Sequence, residues 1–143
     1  MPVLTLEQIT TTPTATTKDE AIQEAADMLV AAGAVTADYA DAMRERESSV
    51  STYMGNLLAI PHGTNESKSS IRRTAISFVR YPDGLDWNGK QVEFVIGIAG
   101  AGDDHMKLLA PIAETFLDEA QVERLRSATT AAEVQAVLGR VQA

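Results

Sequence analysis

The chain of 143 residues contains only two histidines, and the surroundings of the first suit a reactive side chain. His62 lies in the segment AIPHGT (residues 59–64), where a short apolar run ends. Pro61 cannot continue a β-ladder and Gly63 lets the backbone approach a ligand closely, so we expect the imidazole at the edge of a sheet. This placement suits a nucleophile, and taken alone it also fits a turn histidine without a chemical role.

His105 and Arg46 are the side chains that would assist a reaction at His62. His105 opens a predicted helix directly after the glycine-rich segment GIAGAG (residues 97–102), and helix N-termini near strand ends attract anions. Arg46 lies near the end of another predicted helix, and its guanidinium can donate two parallel hydrogen bonds to a phosphate. Taken singly, His105 also fits a solvated histidine at a helix start, and Arg46 also fits a surface charge at a helix C-terminus.

The composition excludes several other chemistries. There are no cysteines, so disulfides, thiolate metal sites and cysteine nucleophiles are ruled out. The sequence has no phosphate-binding GxxxxGK[ST] loop, no EF-hand pattern and no HExxH-type spacing, so we expect no metal ion and no cofactor. A formal net charge of −8 disfavours nucleic acid as the main partner.

Helical periodicity predicts the elements that flank these residues. Residues 17–20 have the spacing of a capping box, and the helix that follows is expected to stop at Gly33. A second helix is predicted from a cap at Thr36 to Arg46, with a polar loop over residues 47–52. A third begins at the cap formed by residues 103–104.

The C-terminal part of the chain continues this helical pattern. Pro111 lies inside the third helix and is expected to bend or split it. Two further helices are predicted, one over residues 121–126 and one that follows a capping box at Thr130.

Three apolar runs predict the strands, over residues 57–60, 74–80 and 92–99. The last two are rich in β-branched and aromatic side chains, and residues 81–84 (YPDG) predict a turn between them. The order of helices and strands favours a mixed sheet covered by helices.

No stretch approaches the roughly 18 apolar residues that a membrane span needs, and the N-terminus lacks the pattern of a secretion signal. We therefore expect a free-standing, cytoplasmic single domain over residues 1–143.

Five blocks of sequence surround the candidate residues. They read AMRERE (42–47), TYMG (52–55), AIPHGT (59–64), VRYPDG (79–84) and DH (104–105). Across nearly the full chain this series resembles the enzyme IIA family of the mannitol/fructose-type, phosphoenolpyruvate-dependent sugar phosphotransferase systems. The IPHGT block is the most specific, because it matches the phosphorylated histidine of that family and its neighbours.

The resemblance implies a role for each candidate residue. His62 corresponds to the phosphoryl acceptor, His105 to the second active-site histidine and Arg46 to the phosphate-binding arginine, with Gly63 and Thr64 as phosphate-contacting neighbours. It also implies a three-layer α/β (α+β) fold in which helices flank a mixed sheet. The sequence departs from several relatives at position 56, where Asn56 replaces an acidic residue, which leaves the role of that carboxylate open in this chain.

The resemblance also implies partners. The phosphoryl donor is HPr, the acceptor is a cysteine of enzyme IIB, and the membrane is reached only indirectly, through enzyme IIC. The function expected is uptake and phosphorylation of a sugar or polyol of the mannitol/fructose class. The alternative is a regulatory, nitrogen-type enzyme IIA relative that acts as a phosphorylation-dependent interaction module.

The chemistry of phosphoryl transfer sets its own requirements for such a site. An imidazole nitrogen attacks phosphorus in line, and the protein must position the groups and offset negative charge on the equatorial oxygens. We expect His62 to react through Nε2 while a backbone carbonyl or a hydroxyl orients Nδ1.

Overall fold

A five-stranded mixed β-sheet lies at the centre of the computed structural model, which describes residues 2–142. The strands, in chain order, are β1 (Ile9–Thr10), β2 (Tyr53–Gly55), β3 (Leu58–Ala59), β4 (Ala75–Trp87) and β5 (Lys90–Ala99). They are arranged in the order β1-β4-β5-β3-β2. β1 runs parallel to β4 and β3 parallel to β5, whereas β4 and β5 pair antiparallel, as do β2 and β3.

Helices cover both faces of the sheet. They are α1 (Lys18–Ala31), α2 (Tyr39–Ser49), α3 (Asp104–Leu117), α4 (Glu119–Ser127) and α5 (Ala131–Leu138). Helices α1 and α2 pack on one face, and α3, α4 and α5 pack on the other. The predicted three-layer α/β fold is therefore confirmed.

The two apolar cores follow from the alternation of side chains along β4. Ile76 and Phe78 point to the face covered by α3, whereas Ala75 and Val79 point to the face covered by α1 and α2. All four are fully buried, as expected for a central strand that has helices on both sides. Burying a side chain as large as Phe78 contributes roughly 1.5–3 kcal/mol.

Both predicted capping boxes begin helices. The Thr17 hydroxyl accepts a hydrogen bond from the Glu20 amide at 3.2 Å, and the Thr130 hydroxyl accepts one from the Glu133 amide at 3.2 Å. The predicted helix over residues 121–126 is longer than expected, because the Asp118 carboxylate accepts hydrogen bonds from two amides at the start of α4.

The bounds predicted for the second helix are wrong at both ends. α2 begins after Asp38, and the Thr36 hydroxyl binds the Asp38 carboxylate instead of capping the helix. At the other end the helix continues to Ser49, through part of the predicted polar loop. Glu47 is only 5% exposed there, and hydrogen bonds from Thr52 and the Trp87 indole satisfy its buried carboxylate.

The chain does not reverse direction at residues 81–84, where the sequence predicts a turn. β4 runs on to Trp87, and a register shift between Arg80 and Leu85 absorbs the extra residues as an irregularity in the strand. Gly84 takes a φ of 76° in this region. The hairpin instead turns at Asn88 and Gly89, whose φ values of 56° and 89° suit the tight connection of two antiparallel strands.

Four short elements were not predicted: β1, β2 and the 3-10 segments at Leu6–Gln8 and Asn65–Ser70. Pro111 does not split the third helix, since α3 is continuous from Asp104 to Leu117. None of the helices described is long and apolar enough to cross a membrane.

Candidate active site

A cavity of about 300 Å³ opens at the carboxyl ends of β3 and β5. Beyond β3 the chain continues beside β5, because the Ile98 amide donates to the Pro61 carbonyl at 3.0 Å and His62 pairs with Ile98 in a parallel bridge. The predicted strand exit therefore places His62 at the edge of the cavity. All five predicted site residues contribute to its walls: Arg46, His62, Gly63, Thr64 and His105.

One ring nitrogen of His62 is fixed by the backbone. Nδ1 lies 2.7 Å from the Ile60 carbonyl oxygen, as expected for a ring oriented by a backbone carbonyl. A carbonyl can only accept, so Nδ1 carries the proton and Nε2 keeps its lone pair. Burial lowers the pKa of His62, and the nearby Arg46 charge acts in the same direction although the Ile60 carbonyl opposes it. At neutral pH the imidazole therefore presents an unprotonated Nε2.

His105 lies beside His62 although the two are far apart in the sequence. Their ring centroids are 4.6 Å apart and the planes are tilted by 45°. Burial, followed by the neighbouring His62 and the charges of Lys68 and Arg46, lowers the pKa of His105 to about 4. His105 is therefore neutral at neutral pH and carries one N–H donor and one acceptor nitrogen.

The first turn of α3 positions His105. The Asp103 side chain makes no capping hydrogen bond, contrary to the prediction of a cap at residues 103–104. Instead the Asp104 carboxylate accepts a hydrogen bond from the Thr74 hydroxyl at 2.6 Å, and that hydroxyl also accepts from the Ala101 amide at 3.0 Å. Thr74 thus joins the start of β4 to the start of α3.

Gly63 is held by Tyr39, a residue that sequence reasoning did not assign to the site. The Gly63 amide donates to the Tyr39 hydroxyl at 2.9 Å, and that hydroxyl donates to the Ile98 carbonyl at 2.7 Å. A Cβ at position 63 would lie 2.4 Å from Ser67 Oγ and 2.6 Å from Tyr39 Cε1, so this position needs glycine for lack of space. Burial raises the pKa of Tyr39 to about 12, which keeps the hydroxyl protonated.

Two cationic side chains border the cavity. Arg46 lies in the last turns of α2, where Nη1 donates to the Val50 carbonyl at 2.7 Å. Lys68 lies in the 3-10 segment that follows His62 and was not predicted as a site residue. Only its closeness to His62 in sequence could have pointed to it.

Asn56 lies outside the walls of this cavity. It forms part of the turn between β2 and β3 with a φ of 50°, and its side-chain amide donates to the Phe116 carbonyl at 2.7 Å. Asparagine tolerates this left-handed backbone conformation better than most residues, so Asn56 is suited to the turn between β2 and β3.

The two cations that border the cavity can offset the charge of a bound anion. Among residues 2–142 no three histidine, aspartate or glutamate side chains lie together as they would to hold a metal ion. The arrangement instead combines a nucleophilic nitrogen, a neighbouring imidazole and two cations around a space large enough for a phosphoryl group.

This fold is that of a phosphotransferase-system enzyme IIA. Residues 2–141 match the family described as the phosphoenolpyruvate-dependent sugar phosphotransferase system, EIIA 2, and the chain belongs to that family. The resemblance inferred from the five sequence blocks is confirmed.

Relatives of the mannitol type are similar to this chain over nearly its full length. The chain is 47% identical, over 97% of its length and 96% of the relative, to the mannitol-specific phosphotransferase enzyme IIA component of Halalkalibacterium halodurans. The crystal structure of enzyme IIA mannitol from Escherichia coli superposes with a TM-score of 0.87 at 36% identity, covering 94% of this chain and 98% of that one. The Escherichia coli enzyme IIA in complex with phosphorylated enzyme IIB gives a TM-score of 0.88 at 34% identity, covering 95% and 96%.

Proposed function

We propose that this chain accepts a phosphoryl group from phospho-HPr on His62 and transfers it to a cysteine of enzyme IIB, for uptake and phosphorylation of mannitol or a related polyol or sugar. One observation carries the proposal. The Ile60 carbonyl fixes the proton on Nδ1 of His62, which leaves Nε2 available in a cavity that Arg46 and His105 also border.

The first transfer needs only groups that the cavity contains. The lone pair on Nε2 of His62 attacks the phosphorus of the donor, so a new P–N bond forms while the P–N bond of the donor phosphohistidine breaks. The bonding pair of that broken bond returns to the donor imidazole. Arg46 offsets the negative charge on the equatorial oxygens, and the single N–H of neutral His105 donates a further hydrogen bond to one of them.

The second transfer reverses this sequence. A thiolate of enzyme IIB attacks the phosphorus, an S–P bond forms, and Nε2 of His62 regains its electron pair. The solved complex of the Escherichia coli enzyme IIA with phosphorylated enzyme IIB supports enzyme IIB as the acceptor. No nucleotide polyphosphate has to be neutralised, so neither step requires a magnesium ion or another cofactor.

Gly63 and Thr64 have different parts in this proposal. The amide of Gly63 is already engaged by the Tyr39 hydroxyl, so Gly63 acts mainly by letting the backbone beside His62 pack against Tyr39 and Ser67. Thr64 lines the cavity and precedes the 3-10 segment without capping it, so its hydroxyl is a candidate phosphate contact.

The location follows from the partners. The protein works in the cytoplasm, where HPr supplies the phosphoryl group, and meets the membrane only through enzyme IIC.

Phosphoryl labelling tests the nucleophile. Incubation with phosphoenolpyruvate, enzyme I and HPr should give an acid-labile adduct on the wild-type chain and none on His62→Ala. His105→Ala is the matched control, because it removes the neighbouring imidazole and should slow the labelling without abolishing it. Labelling of His62→Ala at the wild-type rate would disprove the assignment.

A second experiment distinguishes transport from regulation. Membranes that carry the cognate enzymes IIB and IIC are added to the labelled chain together with mannitol. Formation of a phosphorylated polyol supports transport. The assay is repeated with fructose and with other polyols in place of mannitol, and normal labelling of His62 without phosphorylation of any of them would favour the regulatory, nitrogen-type function instead.

A further inference from the structure

Lys68 connects the two segments that hold the histidines. Its Nζ donates a hydrogen bond of 2.8 Å to the Gly100 carbonyl and one of 3.2 Å to the Gly102 carbonyl. Lys68 belongs to the 3-10 segment after His62, whereas both carbonyls belong to the loop between β5 and α3, just before His105. A single ammonium group therefore bridges the two sides of the cavity.

The loop that Lys68 holds is in direct contact with His105. A Cβ added to Gly100 would lie 2.5 Å from the His105 amide nitrogen and 2.7 Å from its Cα. The backbone of Gly100 is therefore packed against that of His105, with no room for a side chain between them. Fixing the Gly100 carbonyl consequently fixes where α3 starts and where the His105 ring stands relative to His62.

The charge of Lys68 acts on the same space. Lys68 borders the cavity together with both histidines and Arg46. Its positive charge contributes to lowering the pKa of His62 and that of His105, after the effect of burial. An ammonium has three donors and two of them reach the loop carbonyls, which leaves one N–H for another acceptor.

We propose that Lys68 is a positioning residue for phosphoryl transfer: it clamps the His105 loop against the His62 segment, and its positive charge offsets that of the bound phosphoryl group. This inference rests on the proposed phosphorylation of His62 and adds a residue to it. The clamp predicts that losing the ammonium slows transfer, even though the nucleophile and its neighbour remain.

Three variants test the clamp. Lys68→Met removes the charge and keeps an unbranched side chain, whereas Lys68→Arg keeps the charge. Lys90→Met is the matched control, since Lys90 is exposed at the amino end of β5, about 30 Å along the strand from its carboxyl end. Two measurements are made on each: the rate of labelling by phospho-HPr, and the NMR titration of both imidazoles in the unphosphorylated chain.

The expected result separates Lys68 from the control. Lys68→Met should lose about tenfold in kcat/KM, mainly through kcat. The loss should not be larger, because Lys68 is exposed and solvent partly screens its charge. The pKa values of both histidines should rise in that variant, since a nearby positive charge is removed. Lys68→Arg should keep most of the rate, and Lys90→Met should match the wild type in both measurements.

Two outcomes would overturn the proposal. One is transfer at the wild-type rate by Lys68→Met, and the other is a titration of its histidines that matches that of Lys90→Met. If the wild-type chain itself takes no label, the proposed function fails, and the titration still decides whether Lys68 acts on both imidazoles.

Discussion

Removing the hydroxyl of Tyr39 should both destabilise the fold and loosen the site. Tyr39 is 2% exposed, and its hydroxyl pairs two backbone groups, the Gly63 amide and the Ile98 carbonyl. Tyr39→Phe keeps the ring and leaves both groups without this partner. A buried polar group left unpaired costs about 1–3 kcal/mol, so the free energy of unfolding should fall by about 3 kcal/mol.

The corresponding change in Tm follows from the size of the chain. At about 2.1 cal/mol/K per residue, the unfolding entropy of 143 residues is about 0.3 kcal/mol/K. A loss of about 3 kcal/mol therefore lowers Tm by about 10 °C. Labelling of His62 should also slow by roughly tenfold, because the backbone beside it loses its anchor.

Calorimetry and the labelling assay measure the two effects, and Tyr53→Phe is the matched control. Tyr53 is half-buried, and its hydroxyl makes no hydrogen bond to any residue in the range 2–142. This control should keep Tm and the labelling rate. A Tm for Tyr39→Phe within 2 °C of the wild type would refute the idea that its hydroxyl secures the two backbone groups.

Three further predictions concern charge. Arg46→Gln should slow labelling by roughly 10²-fold in the phospho-HPr assay, because it removes a cation from the cavity. Glu47→Gln should lower the free energy of unfolding by about 2 kcal/mol in urea titrations and change the fluorescence of Trp87, whose indole donates to that carboxylate at 3.1 Å. The free energy of unfolding should fall as the pH drops from 6.5 toward 4, since unfolded His105 binds a proton in that window and the folded residue, with a pKa of about 4, does not.

Each of these predictions has a control. Arg44→Gln removes a nearby guanidinium that pairs with Asp19 and should leave labelling unchanged. Glu45→Gln is the same substitution at an exposed position, and it should change neither the free energy of unfolding nor the fluorescence of Trp87. His105→Gln should reduce the pH dependence of unfolding, and part should remain because burial also lowers the pKa of His62. Equal labelling rates for Arg46→Gln and Arg44→Gln would contradict the role of Arg46 in the cavity. Equal stability of Glu47→Gln and Glu45→Gln would contradict the contribution of the buried carboxylate. An unchanged pH dependence in His105→Gln would contradict the contribution of His105.

The buried carboxylate of Glu47 illustrates why a polar sequence misled the prediction of α2. Residues 47–52 look like a solvated loop, since hydrophobic pattern alone assigns polar residues to the surface. Burial opposes ionisation of Glu47, but hydrogen bonds from Thr52 hold its pKa below the ordinary value. These partners come from outside the helix, so the sequence of α2 does not predict them.

The turn predicted at residues 81–84 failed for a related reason. Pro82 and Gly84 are strong local turn signals, yet β4 continues because its pairing with β5 resumes at Leu85. The irregularity between Arg80 and Leu85 accommodates the proline and the glycine within the strand. Pairing between residues of the two strands outweighed the local preference for a turn.

Hydrophobic periodicity, capping boxes and the IPHGT block are local properties of the chain. They were therefore enough to predict the layered fold, the two capped helices and the candidate reactive residues. Three contacts could not be predicted in this way: the 4.6 Å between the ring centroids of His62 and His105, the hydrogen bond from the Gly63 amide to Tyr39, and the bridge that Lys68 makes between the two histidine segments. Each of these contacts joins residues from different elements. Their distances depend on how strands and helices pack, and spacing along the chain does not encode them.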